Sequence, residues 1–202
     1  MMSQTLLWPG LVIGFFRPSH MHPWHDSYID DALIETAFPV VIEIPKGSKN
    51  KYELDKETGL LRLDRVLYSA VYYPADYGFI PRSFCDDGDP LDAMVLGQEP
   101  VYPLTIVEAR AIGVMRMRDE KGIDDKIVAV SVHDPAFADY TDQGQLPSHI
   151  LREVRRFFED YKTLENKQVV VEDMQGPGEA VRIIREALEL YRRLRRGQLA
   201  KL

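Results

Sequence analysis

The sequence contains a single cysteine, Cys85, in 202 residues. A single thiol excludes an intramolecular disulfide framework and a cysteine-based zinc cluster, and it suits a reducing compartment. Several short catalytic motifs are also absent: G-x-x-x-x-G-K-[ST], G-x-G-x-x-G, H-E-x-x-H and G-x-S-x-G. Nucleotide-binding loops, zinc-protease helices and serine-hydrolase turns therefore have no support in this sequence.

Long apolar runs are missing as well. Large apolar side chains cluster near the N-terminus, but prolines and glycines interrupt them, and the stretch is too short to span a bilayer. A secretory signal begins with basic residues, whereas no basic residue precedes Arg17. We therefore expect a cytoplasmic protein without a membrane partner, in which residues 1–23 form a flexible extension and residues 24–202 form a single domain.

The overall composition is that of an ordinary globular protein, with 45% hydrophobic and 28% charged residues. Its formal net charge is −7, which disfavours a nucleic-acid partner because the phosphate backbone is itself negative. An anionic substrate would need bound metal ions or a local group of lysines and arginines.

Acidic residues are concentrated in one short stretch. Asp86, Asp87, Asp89 and Asp92 fall within seven positions. Carboxylates this close repel one another unless a cation lies among them, and oxygen ligands suit hard cations such as Mg²⁺ or Mn²⁺. The alternative is a solvated acidic turn, for which the glycine and proline of the stretch are suitable. A second acidic loop at 118–125 favours the metal site.

Hydrophobic periodicity indicates several strands and two helices. Glu43 is the lone acid in the first strand, where an unpaired carboxylate would be costly. Apolar residues at helical spacing follow Pro147 and a Gly-Pro-Gly turn. The predicted strands are 40–44, 51–54, 60–65, 66–73, 105–117, 126–132 and 168–172, and the predicted helices are 150–161 and 180–191.

Residues 87–92 fit the pattern D-[SGDN]-D-[PE]-[LIVMF]-D. Further motifs are I-E-I-P at 42–45, K-Y-E at 51–53, D-R at 64–65, Y-P-x-x-Y-G at 73–78, the acidic loop ending at Lys126, and F-F-E-x-Y-K at 157–162. In their order and register these motifs resemble those of the soluble family I inorganic pyrophosphatases of bacterial type. The resemblance extends from about Trp24 to Arg193.

This resemblance implies a fold and an activity. The expected fold class is α+β, mainly β, with an OB-like closed β-barrel flanked by two main α-helices. The expected enzyme is an inorganic diphosphatase that hydrolyses pyrophosphate to two orthophosphates with a metal-activated water. Its cofactor would be Mg²⁺, with Mn²⁺ or another divalent cation as a substitute, and it would assemble as a homo-oligomer, commonly a hexamer.

The resemblance also implies roles for particular side chains. Asp89 is expected to be the catalytic base that deprotonates the attacking water. The expected metal ligands are Asp87, Asp92, Asp119, Asp124 and Glu43. The residues expected to hold the phosphoryl groups are Lys51, Arg65, Tyr77, Lys126, Tyr161 and Lys162.

One departure and two alternatives accompany this interpretation. Asp76 stands where many members of the family carry asparagine. A haloacid-dehalogenase-type phosphatase also uses an Asp-x-Asp motif, but there the motif follows a buried apolar strand, which residues 83–86 do not form. An OB-type module that binds metal or oligonucleotide is disfavoured by the acidic charge and by the lack of a basic stacking face.

Overall fold

The computed structural model describes residues 21–119 and 122–198, and it contains eight strands and three helices within them. Two short 3₁₀ turns, Gln143–Gln145 and Thr163–Glu165, flank the second helix. The elements are α1 (Pro23–Asp26), β1 (Phe38–Ile44), β2 (Asn50–Leu54), β3 (Leu61–Val66), β4 (Asp76–Phe79), β5 (Asp92–Leu96), β6 (Ile106–Asp119), β7 (Gly122–Ser131), α2 (Ser148–Asp160), β8 (Val170–Val171) and α3 (Pro177–Arg195).

Five of the strands form a ring. The pairing runs β1-β4-β5-β7-β6, and β6 pairs again with β1. The closing pair joins only four residues of each strand, from Phe38 to Val41 on β1, so the ring is closed over part of its length. β8 pairs with β6 outside the ring, and β2 and β3 form a separate hairpin. The predicted mainly β architecture with two main helices is thereby confirmed.

The sheet is buried on both faces, which explains its continuous apolar runs. Along β5, Ala93 and Val95 pack in the cluster that includes α3, whereas Met94 and Leu96 pack in the cluster that includes α2. Successive strand residues point to opposite faces, so each strand supplies both clusters. The face towards α2 is the one that carries the functional side chains described below.

Two predicted strands, 66–73 and 168–172, differ most from the structure. In addition, β7 begins at Gly122 rather than at 126, and β4 and β5 were not predicted as strands. β3 ends at Val66, and the predicted strand over 66–73 is wrong. The segment is irregular instead: Leu67 and Tyr73 are buried, whereas Tyr68 and Tyr72 are exposed. Leu67 donates its N–H to the Lys49 carbonyl, and the Ser69 hydroxyl bonds the carbonyl of Asp160 at the end of α2. The last strand is reduced to two residues, because β8 pairs only with Met117 and Arg118.

The N-terminal helix α1 packs on the ring. Trp24 is buried, and its indole N–H donates to the Ser83 carbonyl over 2.8 Å. The Trp24 carbonyl accepts the Arg82 N–H, and Arg82 has a left-handed backbone with φ of 55°. Residues 1–20, most of the predicted extension, lie outside the described residues. No helix within the described ranges is long and apolar enough to cross a membrane.

Candidate active site

A polar cleft of about 430 Å³ opens between the hairpin, the acidic loop and the end of α2. It is lined by carboxylates, lysines and aromatic rings. Asp119 ends β6, but its side chain lies outside the described part of the chain. All the other predicted site residues line this cleft: Glu43, Lys51, Arg65, Tyr77, Asp87, Asp89, Asp92, Asp124, Lys126, Tyr161 and Lys162.

The centre of the cleft is built by the parallel strands β5 and β7. Asp92 is the register partner of Lys126, and Asp124 precedes Lys126 by two residues on the same strand face. The buried Lys126 ammonium group contacts the Asp92 carboxylate and lies 2.6 Å from Asp124 Oδ1. Burial disfavours its charge, but Asp92 and Asp124 outweigh that effect and hold the pKa of Lys126 well above its ordinary value. Lys126 is therefore a fixed positive charge.

Glu43 forms the buried end of the cleft. Its side chain is buried in β1, and Oε1 accepts the Leu54 N–H over 2.6 Å, which joins the hairpin to the ring. Burial, reinforced by the negative charge of Asp92, raises the pKa of Glu43 to about 8. A cation close to this carboxyl group would favour its ionised form.

The acidic loop presents Asp87 and Asp89 at the mouth of the cleft. Gly88 separates them with a left-handed φ of 87°, a conformation that glycine adopts without steric cost. The Asp89 N–H donates to Asp87 Oδ1 over 3.1 Å, and the Asp89 carbonyl accepts the Cys85 N–H over 2.8 Å. The backbone of Asp89 is therefore fixed, and its carboxylate faces the cleft.

Two cations on the hairpin lie opposite each other. Lys51 and Arg65 are register partners in the β2–β3 pair. The Asp64 carboxylate contacts both side chains: it lies 3.1 Å from Lys51 Nζ and also pairs with the Arg65 guanidinium group. Arg65 Nε donates a second hydrogen bond to Glu165 Oε1 over 2.8 Å. Lys51 and Arg65 are thus held in position by carboxylates and still line the cleft, where either could also bind an anionic substrate.

Aromatic side chains close the floor towards α2. The Lys126 ammonium lies 5.8 Å from the centre of the Tyr77 ring, and the Lys162 ammonium lies 5.3 Å from the centre of the Tyr161 ring. Burial and the charge of Asp92 raise the pKa of Tyr77 well above its ordinary value. Burial also raises the pKa of Tyr161. The hydroxyl groups of Tyr77 and Tyr161 therefore stay neutral and can donate hydrogen bonds.

Sequence reasoning missed several residues of the cleft. Glu53 and Asp64 belong to matched motifs, so their motif positions were the available signal. Tyr73 belongs to another matched motif, and its ring packs at a tilt against the rings of Tyr77 and Phe157. No sequence signal identified Lys56 or Trp24, because both reach the cleft through tertiary contacts. The lining residues without a role predicted from the sequence are Trp24, Tyr52, Glu53, Leu54, Lys56, Asp64, Tyr73, Pro90, Ile123, Phe158 and Lys167.

Carboxylates at the centre of a small cleft, with cations and neutral hydroxyl donors around them, form the kind of site expected in an enzyme that acts on a phosphorylated anion. The sequence model of the family described as inorganic pyrophosphatase matches residues 40–192. The chain therefore belongs to the inorganic pyrophosphatase family, enzymes that hydrolyse pyrophosphate.

Individual relatives agree with this assignment. The chain is 51% identical to soluble inorganic pyrophosphatase 2 of Chlamydomonas reinhardtii, over 89% of this chain and 93% of the relative. It is 56% identical to soluble inorganic pyrophosphatase PPA1 of Solanum tuberosum, over 84% and 80% respectively. Among solved structures, the inorganic pyrophosphatase of Thermus thermophilus superposes with a TM-score of 0.78 at 40% identity, covering 82% of this chain and 97% of that one. These neighbours share the OB-like fold predicted from the sequence.

Proposed function

We propose that this chain hydrolyses inorganic pyrophosphate to two orthophosphates and uses Mg²⁺ as its cofactor, with Mn²⁺ or another divalent cation as a substitute. The observation that carries the proposal is the arrangement of Asp92 and Asp124 around the buried cation of Lys126, in one cleft with Glu43 and Asp87. Several carboxylates converge on a single fixed positive charge, and their excess negative charge calls for further cations.

The donor set fits a hard divalent cation, because the cleft offers carboxylate oxygens and the described residues of its lining include neither cysteine nor histidine. Within residues 21–119 and 122–198, no three acidic, histidine or cysteine side chains already stand together as a metal site. Lys126 explains part of this spacing, since it lies between Asp92 and Asp124. The residues that would hold the cations are Asp87, Asp92, Asp119, Asp124 and Glu43.

The bound cations would neutralise the polyanionic substrate and lower the pKa of a bound water towards ~7. Asp89 would orient that water and accept its proton, because its carboxylate faces the cleft from a loop whose backbone is fixed. A general base in such a position contributes about 10²–10⁴-fold to the rate.

The cationic side chains would bind and orient the substrate. Arg65 has a planar guanidinium group that fits two phosphate oxygens, whereas Lys51 acts as a point charge. Lys126 and Lys162 would bring positive charge towards the transferred phosphoryl group. Tyr77 and Tyr161 would donate hydrogen bonds as neutral phenols, as their raised pKa values favour.

A phosphate-release assay tests this function. With Mg²⁺ we expect rapid release from pyrophosphate and little from a phosphomonoester, no release in EDTA, and recovery on adding Mg²⁺. Release from phosphomonoesters in preference to pyrophosphate would favour the dehalogenase-type phosphatase. Oligonucleotide binding without hydrolysis would favour the OB-type module. Undiminished turnover in EDTA would contradict the metal requirement.

We also propose that the enzyme is a homo-oligomer, a hexamer by resemblance to bacterial members, and that it works in the cytoplasm. Exposed apolar residues near the start of β6, namely Tyr102, Leu104 and Ile106, are compatible with a subunit contact. Analytical ultracentrifugation would give the assembly state, and a monomer at micromolar concentration would contradict the hexamer. Fractionation of source cells would test the location.

A further inference from the structure

Lys56 lies on the rim of the cleft, in the turn between β2 and β3, and neither the motifs nor the proposed mechanism gives it a role. Its ammonium group contacts the carboxylate of Asp89 and lies 3.0 Å from the Gly88 carbonyl oxygen. A side chain from the hairpin therefore reaches the tip of the acidic loop. It meets that loop at the carboxylate that we propose as the catalytic base.

The backbone that carries Lys56 is held from two sides. Asp55 Oδ1 accepts the N–H groups of Glu57 at 3.2 Å and Thr58 at 2.9 Å, so the turn is closed by its own side chain. The ring Nε2 of His22 lies 3.1 Å from the Lys56 carbonyl oxygen and links the turn to α1. The backbone of Lys56 is therefore fixed, which limits the positions that its ammonium group can reach.

The Asp89 side chain needs such a contact. Its backbone is fixed by Asp87 and Cys85, but those hydrogen bonds leave the carboxylate free to rotate about its side-chain torsions. The side chains of Lys56 and Asp89 are 47% and 44% exposed, so their ion pair adds little to the stability of the fold. A contact that contributes little stability but ends on the proposed base is suited to orienting it.

We propose that Lys56 is a positioning residue that holds the Asp89 carboxylate in its productive orientation. This inference rests on the proposed function, in which Asp89 is the base. A different role would be direct binding of the anionic substrate, since Lys56 also lines the cleft. The two roles predict different kinetics, because a positioning residue acts on the chemical step and a binding residue acts on substrate affinity.

The first test compares Lys56→Met, Lys56→Arg and Arg156→Met by steady-state phosphate release. Arg156 is a matched control, because it forms exposed ion pairs on α2 and does not line the described cleft. We expect Lys56→Met to lower kcat by about 10- to 100-fold, the cost of a misplaced catalytic group, with KM and the melting temperature unchanged. Lys56→Arg should recover most of kcat, and Arg156→Met should match the wild type.

The second test asks whether Lys56 acts through Asp89. Adding Lys56→Met to Asp89→Asn should cause no further loss of kcat, because the orientation of an inactive base no longer matters. The inference would be overturned if Lys56→Met lowered kcat in the Asp89→Asn background as much as it does in the wild type. It would also be overturned if Lys56→Met alone raised KM with normal kcat, or were fully active. A fully active Asp89→Asn enzyme would refute the base assignment itself, whereas an impaired Asp89→Asn enzyme beside a normal Lys56→Met enzyme refutes only the role of Lys56.

Discussion

Asp92 and Lys126 face each other across the parallel pair of β5 and β7, and the Lys126 ammonium group contacts the Asp92 carboxylate. Lys126 also lies 2.6 Å from Asp124 Oδ1, so one buried cation stands between two carboxylates that we propose as metal ligands. The stability of the metal-free enzyme and its affinity for metal ions are therefore coupled through Lys126.

Lys126→Met should destabilise the metal-free enzyme, because it leaves Asp92 and Asp124 without their partner. Breaking a buried ion pair costs about 3–5 kcal/mol, and the partial exposure of the two aspartates places the effect near or below about 3 kcal/mol. Added Mg²⁺ should stabilise the variant more than the wild type. Urea unfolding in EDTA and in Mg²⁺ measures both effects.

Arg192→Met is the control for this experiment, since Arg192 pairs with Asp31 on the surface. It should leave the unfolding midpoint unchanged with or without Mg²⁺. Equal stabilisation of the wild type and Lys126→Met by Mg²⁺ would contradict the coupling between Lys126 and metal binding at Asp92 and Asp124.

Asn substitutions should separate the proposed ligand Asp87 from the proposed base Asp89. Asp87→Asn weakens metal binding, so high Mg²⁺ should restore part of its activity. Asp89→Asn should bind Mg²⁺ almost normally and still lose about 10²–10⁴-fold in kcat. Mg²⁺ titrations of activity and of binding by calorimetry distinguish the two. Asp86→Asn, in the same loop but outside the lining of the described cleft, should behave like the wild type. Full recovery of Asp89→Asn in excess Mg²⁺ would mean that its role is metal binding.

Glu43 should make the stability of the metal-free enzyme depend on pH. Its pKa is raised from 4.5 to about 8 in the folded state, so between these values the folded protein holds a proton that the unfolded chain has released. The contribution of Glu43 is therefore fully present below about pH 4.5 and is lost as the pH rises through about 8.

Glu43→Gln removes this dependence and keeps an oxygen to accept the Leu54 N–H. The difference in unfolding free energy between wild type and variant, measured in EDTA from pH 4.5 to 9, should change by on the order of a few kcal/mol. A difference that stays constant across this range would contradict the raised pKa. In Mg²⁺ the dependence should weaken, because a cation favours the ionised form.

Trp24 should be part of the folded domain, although it lies close to the predicted extension. Trp24→Ala removes a buried ring and the hydrogen bond to the Ser83 carbonyl, and we expect a loss of about 3–5 kcal/mol. A chain that starts at Met21 should keep the melting temperature and activity of the full chain, and one that starts at Ser27 should not. Thermal unfolding of the two chains checks this expectation, and equal melting temperatures would show that α1 is dispensable.

Local patterns predicted much of the fold. Apolar residues in β1, β6 and β7 gave strands that overlap the observed ones, although β7 begins earlier than predicted, at Gly122, and β4 and β5 were not predicted. The helical spacing after Pro147 and Gly178 gave α2 and α3. These predictions succeeded because each pattern matches the period of one element packed on one core. The same reasoning failed at 66–73, where Leu67 and Tyr73 are buried although the segment is irregular. Burial alone does not require a strand.

By itself, the sequence determined which residue types are available for the chemistry, since the six-residue signature and its companion motifs place the proposed ligands, base and cations. Only the tertiary structure decided which of them meet. Asp92 reaches Lys126, 34 positions away, because β5 and β7 pair in parallel, and Lys56 reaches Asp89 because the hairpin folds over the acidic loop. Such contacts depend on strand pairing and burial between distant segments, which local sequence patterns do not encode.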